Sequence, residues 1–204
     1  MTATRARLPA AERRAALLET ALRVLAAGSY RGVTTAEIAR EAGVTEPILY
    51  RHFSCKRDLY LACLDEAWQQ IRVVWERIVD SQPPAEWFQL MARSLLECRQ
   101  ADVPLASLWI QTLAEAGEDA EIRSHLRRHL RSVHDFLAGT IARAQSAGAV
   151  LPGRDPVAEA WVFMSLGLLG SIGQRLGGLA EADFPRIRAA RREWMLGEAP
   201  GGPA

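Results

Sequence analysis

A single lysine, Lys56, stands among the 204 residues; every other basic side chain is arginine, which we read as genome composition rather than function. Cysteine is nearly as scarce. Cys55, Cys63 and Cys98 are odd in number and hold no C-x-x-C pair. That argues against a disulfide framework or a zinc cluster and fits a reducing compartment. No charged-then-apolar leader opens the chain. The longest apolar run, Trp161 to Gly173, falls short of the roughly 20 residues that span a bilayer. No membrane partner and a cytoplasmic location are therefore expected. G-x-S-x-G, H-E-x-x-H and a phosphate-cradling glycine loop after a strand are also missing, so neither an enzyme nor a cofactor is expected. No stretch alternates apolar and polar residues as a strand does, and no internal repeat is visible.

What is present is an ordinary globular balance, 49% hydrophobic and 24% charged, with a net charge of +1. The charge is unevenly placed. Residues 1–60 carry ten basic against six acidic side chains, and the remainder fifteen against eighteen. A mildly basic head on a mildly acidic body suits a nucleic-acid-facing module.

Helical periodicity runs through the chain. After a polar, basic start (residues 1–8), a first helix is expected over 9–27, with Leu18, Ala21, Leu22 and Leu25 inward and Gly28 closing it. Thr34 and Glu37 form an S/T-x-x-E pattern, in which the Thr34 hydroxyl takes the Glu37 amide and Glu37 reaches back. A second helix then starts at Thr35 and ends at Gly43, where φ > 0 is needed. Thr45 caps a third, with Pro47 in its first turn. Cap, helix, glycine turn, cap, helix is the helix-turn-helix arrangement. Its outer face carries Thr45, Glu46, Tyr50, Arg51, His52 and Lys56. The bare pattern leaves two readings open: a nucleic-acid reader, or an αα-corner in a helical protein.

Further helices are expected over 54–80 (capped by Ser54), 85–100, 105–116, 120–147, 156–176 and 181–196, with breaks at Pro83-Pro84 and 102–104. The fourth joins head to body. The eighth is apolar nearly all round and must be covered on most of its surface. Its Gly167, Gly170 and Gly173 leave a strip where another helix can approach.

Residues 34–58, with the helix before them, resemble the TetR family of bacterial transcriptional regulators. Gly32-Val33-Thr34-Thr35, Ile38-Ala39, Ala42-Gly43-Val44, Leu49-Tyr50-Arg51-His52-Phe53, Lys56 and Asp58-Leu59 carry the resemblance, which covers about residues 10–60. It implies an all-α, nine-helix protein. The DNA-binding domain is then 1–53, the ligand-binding and dimerisation domain 54–198, and the tail 199–204 disordered. The implied partners are a palindromic double-stranded DNA operator, a second copy of the chain and a small lipophilic effector that releases the DNA. The implied role is a repressor. The alternative is a constitutive or architectural DNA-binding dimer without an effector pocket.

The resemblance places Thr45, Glu46 and Pro47 in the major groove. Glu46 can accept from a cytosine amino group, and the Thr45 and Pro47 carbons can meet a thymine methyl. Tyr50, His52, Lys56, Thr34 and Thr35 are the implied phosphate contacts, with Arg51 beside them, and Arg5 and Arg7 would reach out from an arm. The implied pocket lining is Trp68, Ile71, Trp75, Phe88, Met91, Leu95, Trp109, Thr112, Leu113, Leu130 and His134, with Trp87 nearby. Gln111 and Arg99 are further polar groups to orient a ligand. For any one of these residues, plain core packing is an equally good reading. Trp161, Ser165, Leu168, Leu169, Ile172, Phe184 and Ile187 are the expected dimer interface. His125 and His129 have a metal-ligand spacing. They lie among arginines that repel a cation, so a solvated helix face is expected and no metal. Cys63 and Cys98 read as inert buried thiols rather than oxidant sensors.

Overall fold

The computed structural model describes residues 9–100 and 105–197, without the side chains of 96–100. Arg5, Arg7, Cys98, Arg99, the break at 102–104 and the tail 199–204 lie outside the described residues. Within them the chain forms nine α-helices and no strand. These are α1 Ala10–Ala27, α2 Thr35–Glu41, α3 Glu46–Leu49, α4 Lys56–Ser81, α5 Trp87–Gln100, α6 Leu105–Ala116, α7 Ala120–Ser146, α8 Pro156–Arg175 and α9 Phe184–Leu196. Single 3-10 turns, Pro84–Glu86 and Glu181–Asp183, precede α5 and α9, so α9 begins three residues later than its periodicity suggests.

The inward face of α1 is Leu17, Leu18, Ala21, Leu22 and Leu25, all buried, and it packs on α4. Gly28 ends α1 with φ −112°, so the left-handed region is not why it is glycine. Space is the reason: a Cβ there would lie 2.6 Å from Val33 Cγ2. Gly43, by contrast, turns between α2 and α3 at φ +66°, as expected.

The start of α4 corrects the expected cap. Ser54 is not the cap; Cys55 is, its Sγ accepting from the Asp58 amide at 3.5 Å. The Asp58 carboxylate reaches back to the Ser54 amide at 2.9 Å. The pair resembles a capping box with sulfur in the hydroxyl's place, except that the return bond is made to Ser54, one residue before the cap. Asp119 caps α7 through the amides of Glu121 (2.8 Å) and Ile122 (3.1 Å). Asp155 caps α8 through that of Val157 (2.9 Å), with Pro156 in the first turn.

The body is built from α4 to α8, with α7 packed on both α6 and α8. Its core is continuous with that of the head through Leu59, Tyr60, Cys63 and Leu64 of α4. Gly173, in the glycine strip of α8, meets the chain's own backbone. A Cβ on Gly173 would lie 2.2 Å from the Leu179 carbonyl oxygen, because the chain folds back there and the Leu179 amide donates to Gly173 O at 3.0 Å. At Gly173 the close approach is by the chain's own turn, whereas Gly167 faces Leu95 of α5. α9 then docks on α8 through Glu159, which accepts from Trp194 Nε1 at 2.7 Å and pairs with Arg191.

Candidate functional site

Seen from outside, the head presents α3 and the turn that follows it. α3 is short, but its hydrogen bonding continues as turns through Phe53, whose amide donates to Leu49 O at 3.1 Å. Leu49 and Phe53 are buried, which fixes the orientation of the residues between them. Thr45, Pro47, Tyr50 and Arg51 are exposed and His52 is half-buried. Thr34 caps α2 by accepting from the Glu37 amide at 3.1 Å. Thr45 occupies the cap position of α3 without making a side-chain cap bond, contrary to expectation. Its hydroxyl is left on the exposed face.

Thr35 and Glu46 also depart from their expected roles. Thr35 is buried, and its hydroxyl donates to the Glu46 carboxylate. The Tyr50 hydroxyl lies 3.1 Å from the same Thr35 oxygen. A carboxylate held by a neighbouring hydroxyl is satisfied within the head. Glu46 thus ties α3 to α2, and the Thr35 side chain points to Glu46 rather than outward. Lys56, at the first turn of α4, lies over the Tyr30 ring at 4.9 Å. Burial lowers its pKa from the ordinary lysine value.

Two other head cations face the body. Arg31, in the loop after α1, pairs with Glu115 at 3.0 Å and with Glu118. Arg57, on α4, pairs with Asp119 at 2.9 Å and with Glu121. The acidic turn between α6 and α7 therefore sits against the head. Gln111 Nε2 donates to Gly28 O at 3.4 Å, tying α6 to the end of α1, while its Oε1 is buried without a partner. Beneath these pairs the Tyr30 and Tyr60 rings meet at 4.6 Å, and the Tyr60 hydroxyl lies 2.9 Å from Thr112 Oγ1. Burial pushes the Tyr60 hydroxyl up to about 12, despite the opposing bond to Thr112.

The body interior gathers most of the expected lining. Trp68, Ile71, Trp75, Met91, Trp109, Thr112 and His134 are buried, and Phe88, Leu95 and Leu130 are partly so. Leu113 is the exception at 67% exposed: on α6 it lies one position beyond the inward Trp109–Thr112 face. Trp68 and Trp75 meet edge to face, at 5.7 Å between centroids. Phe136 lies 5.6 Å from Trp68 and 6.0 Å from Trp75, and Phe163 lies 5.9 Å from Trp75. The Trp75 indole donates to Ser94 at 3.0 Å, whereas Trp68 Nε1 is buried without a partner. Trp87 closes the α4–α5 turn, its indole donating to Gln82 O at 2.8 Å. Phe136, Phe163 and Ser94 join this lining beyond the expected set. Phe136, one residue before the inward Leu137, was the one legible by spacing.

His125 and His129 are not a solvated face. Both ring nitrogens meet one oxygen of Asp65, at 3.0 Å from His125 Nε2 and 3.1 Å from His129 Nδ1. His129 is buried and accepts from the Trp109 indole at Nε2, 2.9 Å. The indole only donates, so His129 Nε2 is unprotonated and Nδ1 carries the hydrogen to Asp65. A metal on Nδ1 would displace that hydrogen and leave an imidazolate, whereas a ligating histidine normally donates from its other nitrogen. Burial raises the Asp65 pKa, but the hydrogen bonds from His125 and His129 outweigh it and hold the carboxyl well below the usual range. His134 is also satisfied, with Asp135 at 2.9 Å and the Val157 carbonyl at 3.0 Å. It belongs to the α7–α8 contact and stacks on Trp161 at 4.4 Å.

The expected interface residues are divided. Trp161, Ser165 and Ile172 are exposed, while Leu168, Leu169, Phe184 and Ile187 are half-buried. Val157, Val162 and Leu176 extend the uncovered apolar face of α8. As folded, α8 has 20 residues and an apolar window of mean hydropathy 1.3, so by length and composition it could cross a bilayer. The apolar run alone falls short of a span; the helix around it is longer. One flank of α8 nevertheless packs on α6 and α7.

Residues 17–63 match the family profile described as bacterial regulatory proteins, tetR family, and residues 84–167 match BetI-type transcriptional repressor, C-terminal. The HTH-type transcriptional activator FasR of Mycolicibacterium smegmatis is 50% identical over 58 residues, 28% of this chain and 26% of that protein. The HTH-type transcriptional regulatory protein RaaS of Mycobacterium tuberculosis is 28% identical over 129 residues, 63% of this chain and 56% of that protein. The chain thus spans about a quarter and just over half of these two relatives. A TetR-family transcriptional regulator from Cytophaga hutchinsonii has the same fold, with a TM-score of 0.78 at 16% identity, covering 96% of this chain and 100% of that one.

Proposed function

This chain belongs to the TetR family of bacterial regulatory proteins, and from that premise we propose that it is a transcriptional regulator that binds a palindromic DNA operator as a homodimer. The observation that carries this reading is the exposed face of α3 and its following turn, with Thr45, Pro47, Tyr50 and Arg51 outward and Lys56 beside them. We assign 1–53 to DNA binding and 54–198 to effector binding and dimerisation. Two-fold symmetry would set the two copies of α3 about 34–36 Å apart, one per successive major groove. Thr45 and Pro47 are the base-reading residues in this scheme. Tyr50, His52, Lys56 and the cap of α2 hold phosphate, and Thr35, itself tied to Glu46, positions Tyr50. The uncovered apolar face of α8 is the dimer interface, and the site of action is the cytoplasm. No catalytic step enters this reading.

We assign repression as the sign of control, supported by the second profile, which covers the body; the FasR match lies over only 58 residues. The effector is a small, lipophilic molecule entering among Trp68, Trp75 and Phe136. The unpartnered Trp68 indole would donate to an acceptor on it. The mutual packing of these rings favours a second reading, an architectural dimer with no effector at all. A thermal-shift screen of lipophilic compounds separates the two, since a ligand that prefers the native state raises the melting temperature.

A gel shift against the chain's own upstream region tests the main reading. Tyr50→Ala and Lys56→Ala should each weaken binding about tenfold or more, and wild-type binding should fall steeply between 50 and 200 mM salt. Binding that neither change disturbs would overturn the assignment of this face.

A further inference from the structure

We propose that the outer face of α7 is a binding site for a small molecule bearing two or more phosphate groups. A groove of about 940 Å³ runs along this face and is bounded on the α8 side by Trp161. Arg123, Arg127, Arg128 and Arg131 all line it. Their spacing stacks them on one side of the helix, where like charges destabilise one another.

What these arginines contact is the informative part. Arg123 donates to the carbonyls of Ala116 (2.7 Å) and Gly117 (3.1 Å). Arg128 reaches Ser124 Oγ on its own helix at 2.7 Å. Arg131 lies 5.5 Å from the centre of the Trp161 ring. Arg127 has no hydrogen-bond or ion-pair partner among the described residues. None of the four meets a carboxylate, whereas Arg31, Arg57, Arg72 and Arg191 all do. Asp135 is the one carboxylate in the lining, and His134 Nδ1 engages it at 2.9 Å.

A row of guanidinium forks with spare donors matches the oxygens of neighbouring phosphates. Ser124 and Ser132 add hydroxyls to the lining. The groove does not continue the DNA-reading surface, because the acidic turn with Glu118, Asp119 and Glu121 lies between them. Trp161 alone is shared with the face assigned to dimerisation.

The test is isothermal titration of the full chain with sodium tripolyphosphate and, separately, with ATP, against sodium sulfate at matched ionic strength. Both polyphosphates should bind at least tenfold more tightly than sulfate. The double change Arg127→Ser/Arg131→Ser should weaken both at least tenfold, and Lys56→Ala in the head should not. Equal affinities would identify the polyphosphate as the recognised group, and tighter ATP would add a contact to the nucleoside. Arg127→Lys/Arg131→Lys keeps the charge but removes the forks; it should lose affinity too, and it serves if the serine variant does not fold. Light scattering and the operator gel shift, both expected unchanged in these variants, separate this site from the regulator reading. Polyphosphate binding no tighter than sulfate, or binding lost with Lys56 and kept without the arginines, would overturn it.

Discussion

Replacing Thr35 with valine would remove a hydroxyl that both Glu46 and Tyr50 use. The Glu46 carboxylate would then be partly buried without its donor, a loss of about 1–3 kcal/mol. Chemical denaturation should register that loss, and operator affinity should fall with it, because α3 loses its tie to α2. Asp65 offers a test by acid. Its folded-state pKa is depressed, so its contribution is fully present above the unfolded carboxyl value, about 3.9, and is lost as pH falls below it. Asp65→Asn should therefore be less stable than wild type at pH 7, and the difference should shrink between pH 5 and pH 2. Melting temperatures across that range would show it; a constant difference would contradict the pairing with His125 and His129. Neither arrangement was legible in the sequence. Asp65 lies 60 residues from His125, and a single chain does not reveal which α4 acid faces which α7 base.

The elements themselves were largely legible, because cap residues and helical periodicity are local signals. Asp155-Pro156, Gly43 and Thr34 mark boundaries that the structure keeps. The start of α4 was less so, since a cysteine cap gives no familiar signal and Ser54 stands one residue away. The α8 glycines were read by composition when their surroundings decide their purpose. That difference can be measured. Gly167→Ala adds a Cβ 3.9 Å from Leu95 Cδ1, an ordinary contact, and should stabilise the helix by up to about 1 kcal/mol. Gly173→Ala would meet the Leu179 carbonyl at 2.2 Å and must open the turn leading to α9. Thermal melts should rank Gly167→Ala at or above wild type and Gly173→Ala well below it. The reverse order would mean that the 173–179 turn is not what requires glycine.

Across the whole molecule, head and body meet through charge at the edge and aromatic packing beneath. The four acids of the α6–α7 turn face Arg31 and Arg57, so any shift of α6 or α7 is felt just after α1 and at the start of α4, on either side of the helices that form the reading head. Arg31→Ala/Arg57→Ala should leave the global unfolding midpoint nearly unchanged, since exposed pairs are weak. Amide exchange should nonetheless quicken in residues 28–34 and 116–121, and high salt should reproduce the effect in wild type. Exchange unchanged in both segments would remove these pairs from the coupling. The pairing was invisible in sequence because it joins residues more than 60 positions apart through the fold.

Lys56 is the only side-chain amine in the chain, and it sits under the Tyr30 ring with its pKa lowered. An amine that loses its proton more readily is a better nucleophile toward an acylating reagent at neutral pH. An activated ester therefore has one side chain to modify, and that side chain lies at the junction of reading head and body. The terminal α-amine reacts with such reagents too, so peptide mapping that isolates the Lys56 adduct lets a dye there report from a known place without mutagenesis. Operator added beforehand should shield the amine, which makes the extent of labelling a direct gauge of how much of the protein is on DNA.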